Sequence, residues 1–510
     1  MTTERPAEVN GGQSHPQSHP GANESVIPTG SRVYRLAVDR VMSLADFERN
    51  RHSPGHSGFH LERMALLLGR FENPHLAVPA VHVAGTKGKG SVSAMIASVL
   101  AAGGSRTGLY TSPHLHTVRE RIQVNGEPVS EAQFAGLVER TWSVVGEVGA
   151  DTYGGVSTFE MMTLMAFLQF RDSGVEAQVI EVGLGGRLDS TNLIKPMVSV
   201  ITPISLDHTA TLGNTVEKIA AEKAGIIKPG VPVVVSPQPA GSGGVLGVIR
   251  ETALARNAKV IEVGKEATWS SISSGRHQQR FRVRTARGEY SLAMPLLGPH
   301  QVENAATALI ALEQLEAHGF WPSPQDVASG LGSVDWPCRV EYLPSGDPDV
   351  GRVVVADGAH NEDSVDRLLE SVPELRPEGV VLVFGALSGH SASGMLQRLA
   401  PLSPRVVVVN SRHPRAVRSS DVAELVRERG LAVVGSWKTV ADGMRCALDE
   451  AGPGEVVLAT GSISVAAEAR EWALGIEPEC YPNIRPPDDS PRRTRGQTSA
   501  AGATGVGAGP

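Results

Sequence analysis

Cysteine is scarce in this chain, and long hydrophobic runs and a strong charge of one sign are missing. The three cysteines among 510 residues, Cys338, Cys446 and Cys480, are too few and too scattered for a disulfide framework or a zinc cluster. We therefore expect a reducing, cytoplasmic location. No apolar run reaches the length of a membrane span, so we expect no membrane partner. The formal net charge of −7 provides no basic stripe for a phosphate backbone, which argues against a nucleic-acid partner.

Both ends of the chain have a composition unlike that of a folded core. Residues 1–32 are rich in Ser, His, Pro and Gly and contain no apolar segment of the kind found in signal peptides. Residues 483–510 are dominated by Pro, Arg, Ser, Gly and Ala. We predict that both segments are disordered, and that the N-terminal histidines are solvated rather than bound to a metal.

Between these ends, short β-branched runs alternate with helical patterns, which predicts an α/β fold. The length and the 41% hydrophobic content are enough for two cores. The predicted strands cover 80–84, 177–182, 198–202, 231–236, 353–356, 380–384, 405–409 and 456–459, and the predicted helices cover 41–71, 92–102, 158–170, 215–224, 364–369 and 441–451. The pattern breaks after residue 336, so we predict one domain over 33–337 and a smaller, Rossmann-like domain over 338–482.

A glycine-rich segment, Gly85 to Ser91, lies between the first predicted strand and its helix. Gly88 and Gly90 allow backbone N–H groups to close around phosphate oxygens, and the helix N-terminus adds positive potential. Lys89 can reach the β and γ oxygens, and the Ser91 hydroxyl lies on the metal side. The segment predicts ATP binding. Its spacing is shorter than the common Walker motif, so an ordinary glycine-rich turn is the alternative.

Further motifs follow the phosphate loop in a fixed order. They are Thr111 to Leu115, Arg119 to Ile122, Glu181 to Asn192, Asp207-His208, Glu222 to Ile226, His300-Gln301 with Asn304, Asp357 to Asn361, and Thr460 to Ser462. Together they resemble the Mur ligase superfamily and, within it, the folylpolyglutamate and dihydrofolate synthases, over about residues 33–482. The resemblance implies an N-terminal P-loop-containing, Mur-ligase-like ATPase domain and a smaller Rossmann-like glutamate-ligase domain.

The activity that this resemblance implies is ATP-dependent ligation of L-glutamate to dihydropteroate, to the glutamate tail of reduced folates, or to both. Forming an amide from a carboxylate in water requires activation, which ATP provides through an acyl phosphate. We consider two alternatives: another Mur-type amino-acid ligase, and a nucleotide-binding paralogue without catalysis. Small-molecule substrates and a monomer are expected by the same resemblance.

The resemblance also implies roles for single residues. Ser112, Glu181 and His208 would hold Mg²⁺, and Lys223 matches a lysine that is carbamylated. His360 matches a catalytic histidine of the interdomain cleft, near the phosphate or the incoming glutamate. Plain structural roles are the alternatives, such as strand-end caps, a loop histidine or a solvated helix lysine.

The nucleotide and the pterin would each contact a separate group of residues. The nucleotide group consists of Gly88, Lys89, Gly90, Ser91, Asn304 near the adenine, Arg339 on the phosphates and Asp357 on the ribose. The pterin group consists of Ser157, Thr158, Phe159, Glu160, Leu188, Asp189 and Ser190. A flat heteroaromatic ring favours an apolar wall and a carboxylate at its N–H edge, which Phe159 and Asp189 could supply. The alternative places Phe159 in a helix core and Asp189 in a turn.

Three single residues and one short segment depart from the family pattern. Cys338 stands where a glycine usually allows a tight hinge, and Glu362 replaces a proline. Residues 387–391 replace an acidic and lysine-containing run, which puts glutamate or phosphate recognition by the second domain in question. Lys87 replaces an asparagine and adds positive charge near the phosphates.

Overall fold

The computed structural model describes residues 29–46, 60–149, 153–239, 241–345, 352–372 and 379–481. It contains an eight-stranded, a three-stranded and a six-stranded sheet, which confirms the predicted α/β fold. Nearly all of both predicted tails lies outside the described residues. A helix begins at Thr29, within the last residues of the predicted N-terminal tail. No helix of the described residues is long and apolar enough to cross a bilayer.

The helices of the described residues are short to medium in length. They are α1 (Thr29–Met42), α2 (Leu61–Gly69), α3 (Lys89–Ala102), α4 (Glu131–Gly149), α5 (Thr158–Asp172), α6 (Thr209–Leu212), α7 (Val216–Ala224), α8 (Gly243–Ala255), α9 (Val263–Glu266), α10 (Pro299–Glu313), α11 (Pro324–Gly332), α12 (Glu362–Ser371), α13 (Ala392–Leu399), α14 (Ser419–Glu428), α15 (Val440–Glu450) and α16 (Ile463–Leu474). The single helix predicted over 41–71 is wrong, since α1 ends at Met42 and α2 begins at Leu61.

The first sheet contains β1 (Ala80–Ala84), β2 (Thr107–Tyr110), β3 (Ile122–Val124), β4 (Glu127–Pro128), β5 (Ala177–Glu181), β6 (Pro196–Ile201), β7 (Val233–Val235) and β8 (Val260–Glu262). Its order is β4-β3-β2-β5-β1-β6-β7-β8, and the last six strands in this order are parallel to one another. All five residues of β1 are buried because helices cover both faces of the sheet. The carboxyl ends of β1, β5 and β6 therefore meet at one edge.

The second sheet is antiparallel and was not predicted. It consists of β9 (Ala267–Ser274), β10 (Gln279–Thr285) and β11 (Gly288–Met294) in the order β11-β10-β9. In β10, Phe281 and Val283 pack into the core, while Arg280, Arg282 and Arg284 face outward. This strict alternation is the period-two signal of a half-buried strand, and it could have identified the sheet.

The third sheet contains β12 (Glu341–Leu343), β13 (Val353–Ala356), β14 (Val380–Phe384), β15 (Arg405–Val409), β16 (Ala432–Trp437) and β17 (Val456–Thr460). Its order is β12-β13-β17-β14-β15-β16, with only β12 antiparallel to its neighbour among the described strands. Separate apolar cores cover its two faces, as expected for a Rossmann-like unit. The exact domain boundary between residues 337 and 338 stays a prediction.

Candidate active site

A cavity of about 1370 Å³ lies between the first and third sheets. Almost every residue singled out from the sequence lines it: Gly88, Lys89, Gly90, Ser91, Ser112, Ser157, Phe159, Glu160, Glu181, Leu188, Asp189, Ser190, His208, Lys223, Asn304, Arg339, Asp357 and His360. Thr158 is the exception, because it is buried and its hydroxyl donates to the Val41 carbonyl at 3.2 Å. The structure thus brings residues from both halves of the chain to one cleft.

The glycines of the phosphate loop are held in close contact with other elements. Gly88 precedes α3 with a φ of +82°, which favours glycine, and an added Cβ would lie 2.6 Å from the Asn304 side-chain oxygen. A Cβ at Gly90 would lie 2.5 Å from the Trp336 ring. The loop therefore approaches α10 at a distance that side chains would prevent, and the backbone at the start of α3 faces the cavity.

The predicted metal residues gather near the carboxyl ends of β2, β5 and β6. A Glu181 oxygen accepts from the Ser112 backbone N–H at 3.1 Å, and the other lies 3.8 Å from Lys89 Nζ. His208 immediately precedes α6 and has a φ of +49°. No group of three or more His, Cys, Asp or Glu side chains arranged for a metal occurs among the described residues. Mg²⁺ commonly takes only one or two protein ligands beside phosphates and waters, so the donors fit such an ion.

Lys223 is buried in α7, which excludes the solvated-lysine alternative. It is 5% exposed, and its Nζ donates to the Gly85 carbonyl at 2.6 Å. Burial first, and then the charge of Lys89, lower the pKa of Lys223 to about 7. A substantial fraction of this side chain is therefore a neutral amine at neutral pH.

The wall from the second half of the chain is built around Asp357. Its carboxylate accepts from the backbone N–H groups of Val340 at 2.9 Å and Ala359 at 2.8 Å, and burial raises its pKa. Cys338 and Val340 have φ values of +58° and +49°, so the left-handed hinge expected of a glycine is present here without one. Arg339 lies between them, and its Nη1 donates to the Cys338 carbonyl at 2.9 Å.

Lys87 makes a contact across the cleft that the sequence did not reveal. Its Nζ lies 3.3 Å from an Asp207 oxygen and 3.2 Å from His360 Nε2. Burial acts to raise the pKa of Asp207, but the positive charge of Lys87 acts against burial, and the net result holds that pKa well below its usual range. The Asp207 carboxylate is thus anionic, which makes this cluster a strong site for a cation.

The atypical segment 387–391 also lines the cavity. The Ser388 backbone N–H donates to the Arg415 carbonyl at 2.7 Å, and the His390 ring lies 5.1 Å from that of His360. Burial, and then the nearby His360, lower the pKa of His390 to about 3, so this imidazole is neutral. The segment therefore replaces charged side chains at the cleft with a neutral ring.

The predicted pterin wall combines cavity-lining and supporting residues. Glu160 accepts from both the backbone and the hydroxyl of Ser157 and pairs with Arg63 at 2.8 Å. Asp189 accepts hydrogen bonds from the backbone N–H groups of Leu184 and Thr191, so it stabilises the turn, as the structural alternative predicted. Phe159 packs against Gly183, where an added Cβ would lie 2.5 Å from its ring. Phe159 remains the candidate wall for a flat ring, whereas both carboxylates have structural partners.

Two family models match long segments of the chain. The Mur ligase middle domain matches residues 83–312, and the Mur ligase glutamate ligase domain matches residues 339–463. A dihydrofolate synthase/folylpolyglutamate synthase of Bacillus subtilis is 34% identical over 417 residues, which cover 81% of this chain and 94% of that protein.

Solved structures agree with these matches. Mycobacterium tuberculosis folylpolyglutamate synthase (FPGS), complexed with ADP and AMPPCP, gives a TM-score of 0.77 at 29% identity and covers 88% of this chain and 100% of that one. An FPGS–AMPPCP–folate complex gives a TM-score of 0.72 at 29% identity, with coverage of 86% and 99%. With the cleft that unites the phosphate loop, Lys223 and Asp357, these likenesses show that the chain belongs to the folylpolyglutamate and dihydrofolate synthase family of Mur ligases.

Proposed function

We propose that this protein uses ATP to ligate L-glutamate to dihydropteroate, to the glutamate tail of reduced folates, or to both. The observation that carries the proposal is the shared cleft, in which the phosphate loop faces Asp357 and His360 of the other wall. A cleft of this kind can hold a nucleotide against both walls and bring its phosphates next to an incoming amino acid. Relatives named for both activities, and solved complexes with nucleotide and folate, support the same assignment.

The reaction divides into two substitutions. A carboxylate oxygen of the folate-type substrate attacks the γ-phosphorus, and ADP leaves with the electron pair of the broken P–O bond. The glutamate amine then attacks the acyl carbon, and inorganic phosphate leaves as the amide forms and the amine loses its proton. The chain must therefore bind three substrates, exclude water and stabilise charge on the phosphoryl group.

The residues of the phosphate loop stabilise the negative charge of the phosphates. Backbone N–H groups at Gly88 to Ser91 and the Lys89 ammonium surround the phosphates, because they lie at the N-terminus of α3. Asn304 is proposed to contact the adenine, Asp357 the ribose and Arg339 the phosphates. Mg²⁺, held by Glu181, His208 and Ser112, would neutralise phosphate charge when bound.

Lys223 is proposed to carry a carbamate. A neutral amine attacks CO₂ and loses a proton, which leaves an anionic carbamate on Nζ. The burial of Lys223 and its pKa of about 7 favour the neutral amine that this step needs. The anion would complete the negative charge at the metal side of the phosphates.

The remaining expectations concern the pterin and the setting of the enzyme. Phe159 provides the apolar wall, Leu188 and Ser190 line the same region, and the scaffold of Ser157, Glu160 and Asp189 fixes its position. A monomer in the cytoplasm, with small molecules as its partners, is our working proposal.

The decisive experiment measures ADP release by the purified protein with Mg²⁺, ATP and L-glutamate. It compares 7,8-dihydropteroate, tetrahydrofolate and a control without pterin. Release that requires glutamate and dihydropteroate would establish dihydrofolate synthesis, and release that requires tetrahydrofolate would establish tail extension. If ATP binds but neither pterin stimulates release, the folate assignment is refuted in favour of another Mur-type ligase or a non-catalytic paralogue.

A further inference from the structure

The contact between Lys87, Asp207 and His360 joins elements that are distant in the sequence. Lys87 belongs to the phosphate loop, Asp207 follows β6, and His360 precedes α12 beside the third sheet. Their side chains are 20%, 14% and 33% exposed, so solvent screens the contact only in part. An ammonium group thus lies between a carboxylate and an imidazole at the interface of the two walls of the cleft.

The proton on His360 can be assigned from its neighbours. Its Nδ1 lies 2.9 Å from the Gly358 carbonyl oxygen, which only accepts hydrogen bonds, so Nδ1 carries the proton. Nε2 therefore presents a lone pair, and Lys87 Nζ donates to it at 3.2 Å. Together with the Asp207 oxygen at 3.3 Å, this gives one ammonium group two acceptors on opposite walls of the cleft.

We propose that Asp207 and His360 form the binding site for the α-ammonium of the incoming amino acid, and that Lys87 fills this site until the phosphates of ATP draw it away. This inference rests on the proposed function and adds to it a subsite for the amino acid and a regulation of that subsite by ATP. A lysine side chain ends in the same primary ammonium group that an amino acid carries. One group therefore excludes the other from the two acceptors.

The position of Lys87 explains why ATP would release it. Lys87 is two residues before Lys89, in the loop whose backbone faces the phosphates. A triphosphate in this loop offers more negative charge at short range than the single Asp207 carboxylate. Its binding would turn Lys87 toward the phosphates, so the amino-acid site becomes available only when the carboxylate can be activated.

The test compares L-glutamate with glutarate, which has the same two carboxylates and no ammonium. Binding of each is measured by calorimetry to the full-length protein and to Lys87→Met, without nucleotide. Lys87→Met should tighten L-glutamate relative to glutarate by about fivefold or more, which is the lower end of typical coupling between sites. With Mg²⁺ and AMPPCP, the two proteins should differ by less than about twofold in the same ratio.

The controls separate charge and folding from the proposed competition. Lys218→Met removes a charge from an exposed position on α7 and should leave the glutamate-to-glutarate ratio unchanged. Lys87→Asn is a second variant with a shorter neutral side chain and should act like Lys87→Met. Thermal melting and AMPPCP binding verify that each variant is folded.

An unchanged ratio in both Lys87 variants, or an equal gain for glutarate, would overturn the inference while glutamate-dependent ADP release by the unmodified protein still stood. Asp207→Asn should weaken L-glutamate but not glutarate in the presence of AMPPCP, and the reverse result would also refute it. If the unmodified protein binds no L-glutamate with AMPPCP and releases ADP without it, the proposed function itself fails.

Discussion

Replacing Arg63 by methionine should destabilise the protein far more than replacing an exposed arginine in a similar pair. The side chains of Arg63 and Glu160 are 3% and 4% exposed and pair at 2.8 Å. Removing one partner leaves an uncompensated buried charge, which typically costs about 3–5 kcal/mol. We therefore expect Arg63→Met to lower the free energy of unfolding by about 3 kcal/mol or more.

The matched control is Arg40→Met. Arg40 pairs with Glu139 at 2.9 Å, but the two side chains are 44% and 79% exposed. Solvent screens such pairs, so the expected loss is below about 1 kcal/mol. In the double variant Arg63→Met/Glu160→Gln, no charge is left buried, and glutamine can still cap the start of α5, so part of the lost stability should return.

Urea unfolding of each variant gives its unfolding midpoint. Hydrogen exchange of α5 gives the free energy of local unfolding, which is needed because a chain of this size need not unfold in one step. The pair also supports the cap that places Phe159 at the cavity. The KM for the pterin should therefore rise in Arg63→Met while the KM for ATP stays constant. If Arg63→Met and Arg40→Met lose the same stability, the buried pair does not have the role assigned to it.

Three further predictions address the nucleotide loop, Lys223 and the hinge. Gly88→Ala should raise the Kd for AMPPCP by about tenfold or more, because its Cβ would press on Asn304, whereas Gly126→Ala, with the same φ of +82° and open space around it, should not. The neutral amine of Lys223 predominates above its pKa of about 7, and the ammonium predominates below it. Bicarbonate should therefore restore the activity of CO₂-depleted enzyme at about pH 8 but not at about pH 6. Lys223→Gln should show no such response, and a bicarbonate effect that does not depend on pH would contradict the assignment. Cys338→Val should destabilise the protein by about 1–2 kcal/mol in thermal melting, because a β-branched residue is strained at a φ of +58°. Cys338→Gly should change the stability less. Equal losses in the two variants would argue against backbone strain at this hinge.

Neighbouring residues and tertiary contacts carry different information about this protein. Glycine spacing in Gly85 to Ser91 after an apolar run predicted the strand, loop and helix correctly, because local conformational freedom and hydrophobic period are written in neighbouring residues. The same signals predicted the parallel sheets. The prediction failed over 41–71, where two helices were taken for one. It also failed at β9 to β11, where the period-two alternation of apolar and polar residues was overlooked.

What the sequence by itself determined is therefore the class of fold, the phosphate loop, and the family whose motifs occur in order. The partners of individual side chains were decided only by the tertiary structure. Glu160 and Asp189 were predicted to meet a pterin, yet their oxygens are already engaged by Arg63 and by backbone N–H groups. Lys87 meets residues 120 and 273 positions away because the β1 and β6 edges and the third sheet converge on one cleft. Contacts of this kind depend on how the sheets pack together, and no local pattern of residues records them.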